Sequence, residues 1–219
     1  MPARPLEVRR LGVVPYDEAL ALQRSLVEER RAGRVPDVLL LLQHPAVITV
    51  GVKGDGGRSN ILAGGERLAG LGVEIRETGR GGDVTYHGPG QVVGYPIVDL
   101  QPDRCDVHRY VRDLEDVMIR ACADFGLAAA RRPGLSGTWI GTEKIGAIGV
   151  RISRWITSHG FAFNVSTNLD HFTLIVPCGI SEGGVTSIER ASGRVVQIDE
   201  VEDVLVRHFT SVFAREVVS

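Results

Sequence analysis

The run Lys144-Ile145-Gly146-Ala147-Ile148-Gly149-Val150-Arg151-Ile152-Ser153-Arg154-Trp155, followed after Ile156 by Thr157-Ser158-His159-Gly160-Phe161-Ala162-Phe163-Asn164-Val165, reads as two strands in immediate succession. Val195 to Ile198 reads as a third strand in this half of the chain. Upstream, Val38 to Leu42 and Val47 to Val50 are apolar β runs separated by His44-Pro45. Val73 to Thr78 alternates in strand fashion, and Gln91 to Leu100 is a β run interrupted by Gly94 and Pro96. Helices fall between these groups. One follows Pro15 and Asp17 on a stripe of Ala19, Leu20, Leu22, Leu26 and Val27, with Gly33 as its stop. The clearest is capped by Asp106, buries Val107, Tyr110, Val111, Leu114, Val117, Met118, Ala121 and Phe125 at spacings of three and four, and ends at Gly126. Another, led by Asp199, buries Val201, Val204, Leu205, Phe209 and Val212. Gly51 to Gly72 reads as a long loop with a short helix near Glu66 to Ala69. Grouped strands with helices between the groups predict an α+β fold, a mixed β-sheet flanked by helices, in place of strict βαβ alternation.

Composition narrows the function. A chain of 219 residues, 43% hydrophobic, can bury a full core within the size of one domain, so residues 1–219 are expected to form a single unit. A formal net charge of −2 opposes a nucleic-acid partner held by neutralised phosphates. No run approaches the roughly 20 apolar residues of a membrane span, and Met1 to Arg10 alternates charged and apolar residues, so a cytoplasmic location without a membrane partner is expected. Cys105, Cys122 and Cys178 are odd in number and lack Cys-x-x-Cys spacing, which predicts free thiols and no metal site. Cys122 lies beside the stripe of the Asp106 helix and reads as core.

Of the 25 Lys and Arg residues only Lys53 and Lys144 are lysines. Lys144 opens an apolar, glycine-rich strand, where it is either a base held against low-polarity walls or a snorkelling edge residue. Cys178 stands in Ile175-Val176-Pro177-Cys178-Gly179, an irregular turn able to present sulfur at a sheet edge. A thiol is nucleophilic as thiolate, and a neighbouring amine both stabilises that anion and serves as a base, so the two residues together point to acyl transfer. Arg80-Gly81-Gly82-Asp83-Val84-Thr85-Tyr86-His87-Gly88-Pro89-Gly90-Gln91 is either a glycine-rich ligand loop or a hairpin between two strands. It lacks the third glycine and the helix of a dinucleotide fingerprint, and Gly137-x-x-x-Gly141-x-x-Lys144 lacks the Lys-Ser/Thr of a phosphate loop. His44, His108, His159, His171 and His208 read as surface or packing residues, and His87 stands apart because of its company. Gly146 and Gly149 would leave room for an acyl tail beside Ile148 and Val84, and Arg131-Arg132 with Arg151 and Arg154 are either solvated faces or a surface for an acidic partner.

These segments, with His44-Pro45-Ala46-Val47-Ile48-Thr49-Val50-Gly51, Lys144 to Gly149, Ser158 to Val165 and Ile175 to Ile180, resemble the lipoate-protein ligase B family, the octanoyltransferases. Ala46 replaces a second proline common after His-Pro, and Asp83 stands at a position expected to vary. The resemblance implies a biotin/lipoate protein ligase-like fold, no cofactor, and transfer of an octanoyl or lipoyl group from acyl carrier protein to a lysine of lipoyl domains. The acceptors it implies are lipoyl domains of 2-oxoacid dehydrogenases and the glycine cleavage H protein. It assigns catalysis to Cys178 and Lys144, and the acyl pocket to Arg80, Gly81, Gly82, Asp83, Val84, Thr85, Tyr86 and His87 with Ala147, Ile148, Gly149, Gly160, Phe161 and Ala162. Rival readings are an ATP-dependent lipoate or biotin ligase and a non-catalytic acyl-binding module.

Overall fold

A computed structural model describes residues 3–53, 58–176 and 183–218. In the first half the elements are β1 (Arg4–Val13), α1 (Tyr16–Arg31), β2 (Asp37–Gln43), β3 (Val47–Val50), α2 (Gly65–Gly70), β4 (Glu74–Glu77), β5 (Val84–His87) and β6 (Gln91–Ile97). The second half adds α3 (Val107–Asp124), β7 (Ala130–Arg132), β8 (Leu135–Ile140), β9 (Glu143–Ser153), β10 (Ile156–Asn164), α4 (Ile188–Ser192), α5 (Ile198–Phe213) and β11 (Arg215–Val218).

The five apolar residues Val38 to Leu42 show how the layers form. All are fully buried, because successive side chains of a strand point to opposite faces and here both faces are covered. Leu39 and Leu41 join a core with α3 and α5, while Val38, Leu40 and Leu42 join a second core with Ala19 and Leu26 of α1. β2 therefore lies inside a mixed sheet of eight strands in the order β11-β1-β2-β6-β10-β9-β8-β7. β1 runs parallel to β11 and β2, and the remaining neighbours are antiparallel. A separate sheet of three, β4-β3-β5, covers its own cluster of Ile48, Leu68, Val73, Val84, Tyr86 and Leu174. Among the described residues no helix is long and apolar enough to cross a membrane.

The α+β class and the mixed, helix-flanked sheet match the sequence reading, and so do most helix boundaries. The Asp106 carboxylate accepts from the Arg109 N–H at 3.0 Å, and Gly126, at φ +73°, ends α3 in the left-handed conformation a side chain disfavours. Val107, however, is exposed. β9 and β10 form a hairpin whose two turn residues, Arg154 and Trp155, have φ of 52° and 64°, so Trp155 belongs to the turn.

Two readings need correction, and one strand carried no reading in the sequence. Val195 to Ile198 is no strand: Val195 is exposed, the Val196 N–H donates to the Glu189 carboxylate, and Ile198 already begins α5. Val84 to His87 and Gln91 to Ile97 do not pair as a hairpin, since β5 bonds to β3 while β6 lies between β2 and β10. The turn at Gly88 to Gly90 thus carries the chain from one sheet to the other. β1, with its charged alternation, is a strand because parallel partners on both sides satisfy its backbone; Leu6 is its one buried hydrophobic side chain.

One buried ion cluster ties this sheet edge together. Asp37, 1% exposed, accepts from Arg215 at 2.7 Å, Arg30 at 2.7 Å and the Asp99 N–H at 3.0 Å, joining β2 to β11, α1 and the end of β6. Removing Asp37 leaves the buried Arg215 and the partly buried Arg30 without their shared anion. Asp37→Ala is therefore expected to lower stability by about 3–5 kcal/mol in equilibrium urea unfolding.

Candidate active site

A cleft of about 310 Å³ is lined by residues of β5, β6, β9 and β10, reaching from the small sheet to the large one. It gathers Arg80, Gly82, Asp83, Val84, Thr85 and His87, then Lys144, Ala147, Ile148 and Gly149, then Gly160, Phe161 and Ala162. Gly81 and Tyr86 lie outside its lining. The Gly81 N–H donates to Val150 O at 2.9 Å, which fastens the loop to β9. Tyr86 turns to the opposite side of β5, where its hydroxyl meets His171 Nδ1 at 2.6 Å and its ring packs on Phe172. Cys178 lies outside the described residues.

Arg80 organises one wall. Only 7% exposed, its guanidinium donates to Thr49 O at 2.6 Å, to Thr49 Oγ1 at 2.9 and 3.2 Å, and to Gly81 O at 3.0 Å. The backbone must come close for this. A Cβ on Gly51 would sit 2.3 Å from Gly82 O, and one on Gly149 would sit 3.0 Å from Arg80 Cδ. The space at Gly149 is therefore filled by Arg80, and that at Gly146 by Met118 Sδ, 2.5 Å from where a Cβ would stand. This corrects the expectation that those two glycines make room for an acyl tail.

From Arg80 a chain of hydrogen bonds runs in one direction. Thr49 Oγ1, taken up as acceptor by Arg80, has its own hydrogen to give to His87 Nε2 at 3.3 Å. His87 Nδ1–H then donates to Gln91 Oε1 at 2.7 Å, Gln91 Nε2 to Asn164 Oδ1 at 2.9 Å, and Asn164 Nδ2 to Thr186 O at 3.0 Å. The Thr186 N–H donates to Lys144 O at 3.0 Å, and the Lys144 N–H to Gly184 O at 2.9 Å. Lys144 is cross-strand from Trp139, with Nζ 4.7 Å from the indole centroid.

Sequence reading missed two histidines. His44 and His159 come from distant segments to stand near His87, and no spacing signals the grouping; only the His-Pro and Ser-His-Gly motifs hinted at them. His44 donates from Nδ1 to Val14 O at 2.7 Å, so its Nε2 accepts from the Tyr95 hydroxyl at 2.8 Å. His159 is held at φ 54° with its N–H donating to Gln23 at 2.8 Å. His159, Tyr16 and Tyr95 line the inner wall of the cleft, and His44 lies outside the lining, packed on Tyr16, His87 and Tyr95. Desolvation comes first in lowering the histidines, to about 4 for His44, about 3 for His87 and about 4 for His159; the Arg80 charge adds to it for the last two. All three are neutral at pH 7.

The basic residues read as a carrier surface divide. Arg131 is bound to Glu115 at 2.9 Å and to Asp116, and Arg132 lies over the Trp139 ring, so both are used inside the fold; Arg151 and Arg154 are exposed.

The depressed histidines carry a pH dependence. In the unfolded chain each takes up a proton near pH 6.5, whereas in the fold it stays neutral down to about pH 4, so the unfolded state binds more protons in between. Stability therefore falls as pH drops from 6.5 towards 4, by up to about 1.4 kcal/mol per pH unit for each histidine. Unfolding free energies measured across that window should show His87→Gln losing about one histidine's share of the slope.

Comparison with known proteins shows the family and the fold. A family model for the lipoyl protein ligase A/B catalytic domain matches residues 15–210. An octanoyltransferase of Rubrobacter xylanophilus is 54% identical over 209 residues, 94% of this chain and 93% of that protein. One of Myxococcus xanthus is 52% identical over 96% of this chain, which spans 60% of the length of that relative. In fold, the chain resembles a bipartite lipoate protein ligase of Thermoplasma acidophilum, with a TM-score of 0.71 at 18% identity, covering 100% of this chain and 88% of that one. It also resembles lipoate-protein ligase A bound with ATP, with a TM-score of 0.71 at 17% identity over 100% and 90% of the two chains. With the matched domain, half-identical relatives and the same fold in hand, the chain belongs to the lipoyl protein ligase A/B catalytic domain family, among its octanoyltransferases.

Proposed function

We propose that this acyltransferase takes an octanoyl group from acyl carrier protein and delivers it to a lysine of a lipoyl domain through a thioester on Cys178, with Lys144 as activator and base. The observation that carries the reading is the backbone pairing of Lys144 with Gly184 and Thr186. The chain that follows the Pro177-Cys178-Gly179 segment is thus bonded to the lysine's own main chain. The chain that enters it is held as well, by the Val176 N–H donating to Asn60 O at 2.7 Å. The Cys178 side chain is short and the lysine long, so anchored flanks favour a fixed encounter.

In the first step the Cys178 thiolate attacks the thioester carbonyl. The carbon–sulfur bond to the carrier breaks, and the departing thiolate takes a proton from the Lys144 ammonium. The neutral amine of Lys144 then accepts the proton of the incoming lysine, whose nitrogen attacks the acyl-enzyme and expels Cys178 as thiolate. One thioester replaces another of similar energy in the first half; amide formation drives the second. Backbone N–H groups of Cys178 and Gly179 are the proposed donors to the tetrahedral oxyanion.

The acyl tail is assigned to the cleft beside Val84, Ile148, Phe161 and Ala162. Burial of about six methylenes contributes roughly 5 kcal/mol, while one methylene more or less discriminates by only ~1–3 kcal/mol. Neighbouring chain lengths are therefore expected to react. The proposed acceptors are lipoyl domains of 2-oxoacid dehydrogenases and the glycine cleavage H protein.

Incubation with octanoyl-carrier should give, by intact mass, one octanoyl adduct that hydroxylamine removes and that Cys178→Ala abolishes. Lys144→Ala should slow both formation and discharge about 10²- to 10⁴-fold. Full acylation of Cys178→Ala, or turnover that requires ATP, would refute the assignment.

A further inference from the structure

We propose that Trp139 is a positioning residue for the reaction, its indole face holding the Lys144 ammonium at the site; this rests on the catalytic role assigned to Lys144. Trp139 is 1% exposed on β8, the strand between those carrying Arg132 and Lys144. The Lys144 Nζ lies 4.7 Å from its ring centroid and the Arg132 guanidinium carbon 5.0 Å. Both distances are within the range where a cation is drawn to the negative face of an aromatic ring, and indole is the strongest of the aromatic partners.

The ring is itself well fixed. Cross-strand pairing sets Trp139 opposite Lys144 on one side and Ala130 on the other. Its Nε1 has no hydrogen-bond partner among the described residues, so packing and the two cations hold it in place. Behind it, the buried Glu115 accepts from the Gly137 N–H at 3.0 Å and from Arg131 at 2.9 Å, bracing β8 and β7 against α3. Gly137, at φ 110°, brings β8 so close that a Cβ there would stand 2.4 Å from Gly146 O and 3.5 Å from Lys144 Cε.

This arrangement meets a demand the chemistry makes on Lys144. A lysine has four rotatable side-chain bonds, and its ammonium must be brought to one place before it gives up a proton. An aromatic face attracts the ammonium without accepting a hydrogen bond from it. The ring contact itself consumes none of the Nζ–H donors, and the neutral amine keeps its lone pair for the incoming nucleophile. A carboxylate in the same position would compete for those protons.

The test uses the full chain carrying Trp155→Phe, so that Trp139 is the remaining tryptophan, with mono-, di-, tri- and tetrafluorotryptophan incorporated in turn. Fluorine drains the ring face while changing its shape little. The expected result is a stepwise fall in kcat, about tenfold across the series, with KM for the carrier unchanged. Trp139→Phe should retain more activity than Trp139→Leu. A kcat that stays level across the fluorinated series overturns the proposal, because a ring that only packs is indifferent to its charge distribution. Lys144→Ala assayed in parallel separates the two failures: full activity there would sink the catalytic reading itself, whereas an inactive Lys144→Ala beside a level series would sink this inference alone.

Discussion

A buried guanidinium must be met by acceptors, because Arg80 cannot shed its proton to escape a dry site. The carbonyl and hydroxyl of Thr49 and the carbonyl of Gly81 do this, and much of the site's geometry follows. The Arg80 loop is drawn onto β3, Gly51 and Gly149 have to lack side chains, and the small sheet becomes one wall of a cleft whose other wall is the large sheet. The same charge disfavours protonation of His87 and His159, although the loss of solvent around those rings weighs more.

Directional hydrogen bonding carries that order along the cleft to Lys144. Because Arg80 can only donate, Thr49 Oγ1 accepts and turns its hydrogen to His87, which fixes the imidazole tautomer and in turn the orientation of the Gln91 and Asn164 amides. The last link reaches Thr186, whose N–H bonds to Lys144. Groups drawn from β3, β5, β6 and β10 thus share one acceptor-donor polarity. Such a network is stiff, since reversing one member leaves its neighbours with unmatched donors in a low-dielectric interior.

Much of the site was legible locally. Lys144, a rare lysine in a glycine-rich apolar strand, stood out and lines the cleft, whereas Cys178, which stood out between proline and glycine, lies outside the described residues. Arg80 and His87 stood out through the glycines around them, which proved to mark close backbone approach. His44 and His159 were not legible, since nothing in their own segments says that folding brings them to the same buried wall. Gly146 and Gly149 misled for the same reason: a missing side chain announces space, but its occupants, Met118 and Arg80, come from elsewhere in the chain.

The amino-acid sequence by itself determined the layers. Five consecutive apolar residues in β2 require cover on both faces, the three-and-four spacing after Asp106 makes a helix with one apolar side, and Gly33 and Gly126 stop helices where a left-handed residue is needed. Tertiary structure alone decided that β5 and β6 part company into two sheets, that the charged N-terminal alternation becomes a strand between two parallel neighbours, and that Val195 does not. Period and propensity act within a few residues, whereas strand partnership, desolvation and the matching of buried charges are properties of the summed surroundings and exist only once distant segments have met.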